Sequence, residues 1–376
     1  MSKTIFSDSK KHYEILDGLR GIAAIMVVML HILEIFSGGD HTKMMVNHGY
    51  LAVDFFFLLS GFVIAHAYDD RWNKMTVKQF FTRRLIRLHP LIIAGMTLGG
   101  IFFYFSESEV LFPLVGQTPV WKLILVMFIG YTLLPLPVSM DVHGWSEMHP
   151  LNGPAWSLFY EYVANILYAL FLRKASTTLL SILVILSGSF LAYYTITNPQ
   201  GDIVGGWSLT GEQIKIGLTR LIYPFLAGLL LYRIFKPMQL KNGFLLCGLL
   251  LIITLAMPRI GGKEYLWMNG TYEAIVILFV FPLILFLGAS GSIEGKAATR
   301  VCNFLGDISY PLYITHFPAL YVYYAWVVNH KITLEEAWPV GLAIMLASII
   351  VAYLLLKFYD IPVRKWLTKR YVNTKN

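Results

Sequence analysis

Apolar residues in this chain come in long runs separated by short polar segments, and the runs recur at about eleven places. They centre on Val27, Leu58, Met96, Leu123 to Leu136, Ile166, Leu186, Leu226, Leu250, Leu278, Tyr313 and Ile349. Each is long enough, or nearly so, to cross a hydrocarbon core as a helix. Gly and Pro interrupt several of them, which membrane helices tolerate where neighbours satisfy the freed backbone groups. No repeat, low-complexity segment or soluble domain stands out. The pattern predicts an all-α fold, a polytopic membrane helix bundle.

Charge sets the orientation. Lys3, Lys10 and Lys11 precede the first run, and Arg71, Lys74, Lys78, Arg83, Arg84 and Arg87 follow the second. Arg173 and Lys174 follow the fifth, Arg233, Lys236 and Lys241 the seventh, and Lys296 and Arg300 the ninth. Arg364, Lys365, Lys369, Arg370 and Lys375 mark the tail, whereas 106–119 and 141–154 hold no Lys or Arg. The positive-inside rule then places both termini in the cytoplasm. Eleven crossings would put them on opposite sides. The segment Trp121–Met140 lies between two outside loops and carries Pro135 and Pro137, so it reads as re-entrant or surface-lying. The expectation is about ten transmembrane helices plus that one segment.

Composition supports the membrane reading. Of 376 residues, 57% are hydrophobic and 14% charged, and mean hydropathy is +0.62. A soluble domain carries nearer a quarter charged residues. The net charge of +8 is explained by orientation signals, so no nucleic-acid partner is expected. The first run, from Ile15 to Phe36, is longer than a signal-peptide core and lacks a small-residue cleavage site, so it reads as a retained helix. Cys247, in an apolar span, and Cys302, read as lying in a loop, offer neither a disulfide framework nor metal-ligand spacing. No metal is expected.

Ionisable groups inside membrane spans are costly and are functional candidates. The first span begins Leu16-Asp17-Gly18-Leu19-Arg20-Gly21 and continues to His31 and Glu34. Arg20 and His31 return to nearly the same helix face, roughly 16 Å apart along the axis, with Arg20 towards the cytoplasm and His31 in the outer half. Gly18 and Gly21 allow another backbone to pack closely. The second span opens Val53-Asp54-Phe55-Phe56-Phe57, which puts Asp54 at a depth close to His31. Either Asp54 or Glu34 could accept the imidazole N–H and leave the other nitrogen as a base. Arg83, Arg84 and Arg87 cluster at the cytoplasmic mouth, and Arg84 and Arg87 share a helix face suited to phosphates. Glu161, in Trp156-Ser157-Leu158-Phe159-Tyr160-Glu161, reads as another acid in the outer half. His316, near mid-membrane in a late span, is explained equally well by a structural hydrogen bond.

These elements together resemble acyltransferase family three: the Asp17–Gly21 motif with His31, Val53–Phe57 with Ser60-Gly61-Phe62, Arg83-Arg84-x-x-Arg87, Trp156-Ser157-Leu158 with Glu161, and Ser309-Tyr310-x-Leu312-Tyr313 with His316. The match runs in order across nearly the whole chain. Family members are integral-membrane acyltransferases of surface polysaccharides, peptidoglycan or macrolides. The resemblance implies one membrane acyltransferase domain over residues 1–376 in a bacterial inner membrane. It implies a cytosolic acyl-coenzyme A donor, with acetyl-coenzyme A expected, no permanently bound cofactor, and a saccharide or similar hydroxyl acceptor. His31 then corresponds to the essential histidine and Arg84 and Arg87 to the donor-site arginines. His89 stands before Pro90 where many members carry Tyr. The extracytoplasmic esterase-like domain of some members is not seen. The site expected on these grounds comprises His31, Asp54 and Glu161 for catalysis and Arg20, Arg84 and Arg87 for the donor. The rival class is a transporter or lipid-carrier flippase, whose broken helices and intramembrane charges look alike.

Overall fold

The computed structural model describes residues 12–372; the orientation charges Lys3, Lys10, Lys11 and Lys375 lie outside them. Fourteen helices are described: α1 (Glu14–Glu34), α2 (Ala52–Tyr68), α3 (Val77–Phe102), α4 (Val120–Tyr131), α5 (Ala155–Leu170), α6 (Thr177–Thr197), α7 (Gly211–Ile234), α8 (Gly243–Ala256), α9 (Leu266–Ile275), α10 (Phe281–Ser290), α11 (Lys296–Thr315), α12 (Phe317–Asn329), α13 (Leu334–Leu355) and α14 (Ile361–Tyr371). Every apolar run read from the sequence forms helix, the Leu123–Leu136 run only as far as Tyr131. A π-turn, Val276–Val280, joins α9 to α10, and another, Leu356–Asp360, joins α13 to α14. Seven helical stretches are long and apolar enough to cross a membrane, and α4 and α8 are shorter apolar helices. The chain is a multi-pass, all-α membrane bundle.

The disputed segment resolves into two parts. Residues Val120–Tyr131 form α4, with 12 residues, or about 18 Å of helix, short of a roughly 30 Å hydrocarbon core. From Thr132 to Pro137 the chain is irregular, because Pro135 and Pro137 cannot continue a helix, and a single 3-10 turn follows at Val138–Met140.

α2 lies at the centre, with 72% of its apolar window buried, whereas α6 and α13 bury only 22% and present apolar side chains outward. An apolar surface that large needs lipid to cover it. Small residues bring the central helices together. A Cβ on Gly21 of α1 would strike the Leu305 carbonyl of α11, and Gly61 of α2 and Gly228 of α7 each lie against the partner's backbone. Gly18 packs against Cys302, which sits in α11 and not in a loop; both cysteines are buried. This close packing suits helices that associate by van der Waals contact within lipid.

The break between α11 and α12 has a local cause. Pro318 has no N–H to donate to the Ile314 carbonyl. Asn152, from the loop before α5, donates to that carbonyl instead, at 2.7 Å. The break leaves His316 at the corner between the two helices.

Candidate active site

A cavity of about 520 Å³ opens between α1, α2, α3, α5, α11 and the start of α14. Its charged lining includes Arg20, Arg84, Arg87, Arg364, Asp17, Glu161 and Asp360. The residues at the start of α1, His12 and Glu14, also line it, so it opens at the Lys/Arg-rich end of the bundle. Arg20, Arg84 and Arg87, taken from the sequence as one donor site, do share this cavity.

Their partners differ. Arg20 is tied to α11: Nε donates to Ser309 Oγ at 2.7 Å, and Asp17 lies 3.0 Å from Nη2. Arg84 meets Glu161 at 2.5 Å. Ser60 Oγ also donates to Glu161, at 3.3 Å. Arg87 has no hydrogen bond or ion pair with another described residue and faces the cavity exposed. An uncommitted guanidinium keeps its full donor set for a ligand.

Glu161 is therefore placed differently from the expectation. It lies six residues into α5, while Arg84 lies seven residues into α3 from the opposite end. The two meet near mid-bundle, on the arginine side of the cavity and not beside His31.

Phe56 and Tyr313, whose rings pack edge to face at 5.4 Å, form part of the cavity wall towards α11. Beyond that wall lies His31. Tyr313 and His316 have ring centroids 6.2 Å apart, and His316 stacks on His31 at 5.6 Å with 22° between planes. His31 Nδ1 is 2.9 Å from Glu34 Oε1. The Tyr324 hydroxyl, with one proton to give, lies within hydrogen-bonding reach of the same carboxylate oxygen, at 2.6 Å, and of the His31 carbonyl. An ionised carboxylate only accepts, so Nδ1 is the donor in this pair, which leaves Nε2 as the basic nitrogen of the neutral ring. His316 Nδ1 lies 3.0 Å from the Leu312 carbonyl, the structural hydrogen bond expected, while its buried Nε2 has no partner among the described residues.

Of the two acids the sequence offered to His31, the structure selects Glu34. Asp54 does not reach the imidazole. It is fully buried against Arg220 of α7, with Nη2 at 2.7 Å and Nε at 3.2 Å from Oδ2. Arg220 spends its other donors on the Tyr50 and Gly205 carbonyls and sits 5.2 Å from the Trp156 ring. Asp54 is thus the counter-ion of a buried arginine that locks α2 to α7. The sequence reading missed Arg220, although an arginine within the apolar stretch of α7 is the same signal that selected His31. It also missed Tyr324, since a tyrosine in an apolar span is ordinarily only packing.

The outer loop before α5 folds back over this region. Asp141 accepts backbone N–H groups from His143, Gly144 and Ser146, and Glu147 accepts from the Tyr321 hydroxyl at 2.6 Å. Burial pushes the Glu147 carboxyl up to about 8 and the His143 and His149 imidazoles down to about 4 and about 3.

Fold and site together define a polytopic membrane protein in which a charged cavity approaches a half-buried histidine–carboxylate pair. The family model described as an acyltransferase domain matches residues 13–357, and the chain belongs to acyltransferase family three. It is similar to "Protein 2 in picA locus" of Rhizobium radiobacter, 35% identical over 170 residues, covering 42% of this chain and 82% of the relative. It is also similar to the peptidoglycan O-acetyltransferase OatA of Listeria monocytogenes, 25% identical over 389 residues, covering 95% of this chain. The chain spans only 56% of that relative's length. No solved structure matches.

Proposed function

We propose that the chain is an O-acyltransferase that takes an acyl group, acetyl in the simplest case, from cytosolic acyl-coenzyme A. The acceptor is a hydroxyl of a cell-surface saccharide or a similar molecule. The protein would lie in a bacterial inner membrane with both termini cytoplasmic. The observation that carries the reading is one continuous arrangement: an arginine-lined cavity whose wall residue Tyr313 packs against His316, which in turn stacks on His31 held by Glu34.

Arg87 and its neighbours would hold the donor's phosphates by charged hydrogen bonds. The pantetheine arm would run along the Arg20 side of α1, and Phe56 and Tyr313 would have to part for the thioester to reach His31. His31 Nε2 would take the proton of the acceptor hydroxyl as its oxygen attacks the thioester carbonyl. The coenzyme A thiolate leaves and recovers that proton from the imidazolium. Glu34 stabilises the imidazolium and fixes the ring. Attack by His31 itself, giving an acyl-histidine that the acceptor then resolves, uses the same residues.

The test is transfer from radiolabelled acetyl-coenzyme A by purified protein in nanodiscs, together with mass spectrometry of surface glycans from a deletion strain. Consumption of the donor and loss of an acetyl mark from the glycan are expected. Wild-type protein that leaves acetyl-coenzyme A untouched with every hydroxyl acceptor supplied would overturn the reading.

A further inference from the structure

The family match ends at residue 357, yet the next turn of chain completes the cavity. The π-turn Leu356–Asp360 carries the chain from α13 into α14, which packs against α3. Asp360 and Arg364 both line the cavity. Asp360 is 2% exposed. Arg364 Nη2 lies 2.8 Å from its Oδ2. The pair is incompletely matched: Asp360 Oδ1 and Arg364 Nε are buried and have no hydrogen-bond partner among the described residues. A buried arginine donor left unmade is unfavourable, and a ligand oxygen would satisfy it.

Each wall of the mouth carries one ion pair, Asp17–Arg20 on the first and Asp360–Arg364 on the second, and the walls differ in the charges beyond those pairs. Exposed Glu14 and Asp307 occupy the α1/α11 side. Arg87, which has no hydrogen bond or ion pair among the described residues, and under-bonded Arg364 occupy the α3/α14 side, on two helices in contact. A polyanion is therefore drawn to the second wall. A donor that enters thioester first leaves its nucleotide end at the mouth. The group there with the highest charge and three terminal oxygens is a phosphomonoester.

We propose that Arg364, with Arg87, binds the terminal phosphomonoester of the donor, the ribose 3′-phosphate of coenzyme A, and so sets selectivity for coenzyme A over donors lacking that phosphate. The inference rests on the acyl-coenzyme A reading above. Arg364 acts by binding, far from the acyl group, so it governs KM and not kcat. An anionic lipid headgroup offers the same phosphate chemistry at this surface.

The experiment compares KM for acetyl-coenzyme A and for 3′-dephospho-acetyl-coenzyme A, using nanodisc-reconstituted wild type, Arg364→Ala and Arg364→Lys. Wild type should prefer acetyl-coenzyme A by about tenfold or more, the scale of a charged hydrogen bond. Arg364→Ala should raise KM for acetyl-coenzyme A by a similar factor, leave kcat alone and leave the dephospho donor unaffected, so that the preference collapses. Arg364→Lys should recover part of it. Because the readout is a ratio between two donors on one protein sample, loss of folded protein cancels. An unchanged ratio in Arg364→Ala overturns the inference. So does an equal loss for both donors, which marks a structural contact, or a lipid contact if the loss varies with the anionic lipid content. Wild-type protein that uses neither donor defeats the donor reading itself, and this inference with it.

Discussion

Glu34 lies one helical turn beyond His31, and its Oε1 is 2.9 Å from the imidazole Nδ1. The relationship is local to α1 and needs no other helix to form. Tyr324 then fixes the carboxylate from α12. A base oriented in this way contributes about 10²–10⁴-fold to rate. His31→Gln should abolish detectable acetyl transfer in protein that remains monodisperse, because an amide cannot take the proton. Glu34→Gln should lower kcat less completely, and Tyr324→Phe less again. Radiolabelled transfer checks all three, and near-normal turnover by His31→Gln would remove His31 from the mechanism.

Asp54 and Arg220 make the opposite kind of pair, since both are buried and come from different helices. Removing one partner leaves an uncompensated charge, at a cost of about 3–5 kcal/mol. Asp54→Asn should therefore lower thermal stability strongly in detergent, and Asp54→Asn with Arg220→Met should recover part of the loss. Any folded Asp54→Asn should keep a donor KM close to wild type. A fully stable Asp54→Asn single variant would show that this pair does not lock α2 to α7.

Arg84 and Arg87 are expected to separate. Arg87 has no described partner to lose, so Arg87→Ala should raise KM for acetyl-coenzyme A by about tenfold or more at unchanged melting temperature. Arg84→Ala also strands Glu161, so it should lose stability as well, and Arg84→Ala with Glu161→Gln should restore some of it. Equal behaviour of the two single variants, in KM and in melting temperature, would contradict this division.

The outer loop should be pH-dependent. Glu147 holds its proton up to about pH 8 in the folded protein. Its contribution is complete below the ordinary glutamate range and is lost as pH rises through about 8. The depressed imidazoles of His143 and His149 have the reverse dependence: their contribution is present above the ordinary histidine range and is lost as pH falls towards about 4 and about 3. Amide exchange across 141–153 should accelerate between pH 6.5 and 8.5 beyond the intrinsic rate increase. Glu147→Gln should flatten that limb. An alkaline limb unchanged by Glu147→Gln would assign it to another group.

Topology is open to direct measurement. Reporters fused after Arg173 and after Arg370 should both read cytoplasm, and one placed within 141–150 should read outside. A cytoplasmic reading from the 141–150 reporter would reverse the orientation on which the donor side was assigned.

The sequence by itself determined the class of molecule. Apolar runs too long for a soluble core become helices wherever they meet lipid, so each predicted run forms helix here, the Leu123–Leu136 run only as far as Tyr131. The His31–Glu34 pair was within reach for the same reason: residues three apart on one helix are neighbours whatever surrounds them. The tertiary structure decided the contacts between helices. Asp54 was as plausible a partner for His31 as Glu34 until the packing of α2 on α7 gave it Arg220. Glu161 looked remote from the arginines until α5 and α3, running in opposite directions, met at mid-bundle. Arg364 read as one more tail charge until the π-turn at Leu356–Asp360 brought α14 against α3. Depth along a helix follows from residue count, but the direction in which a side chain faces across the bundle follows from how the helices pack, and no local pattern in the chain carries that.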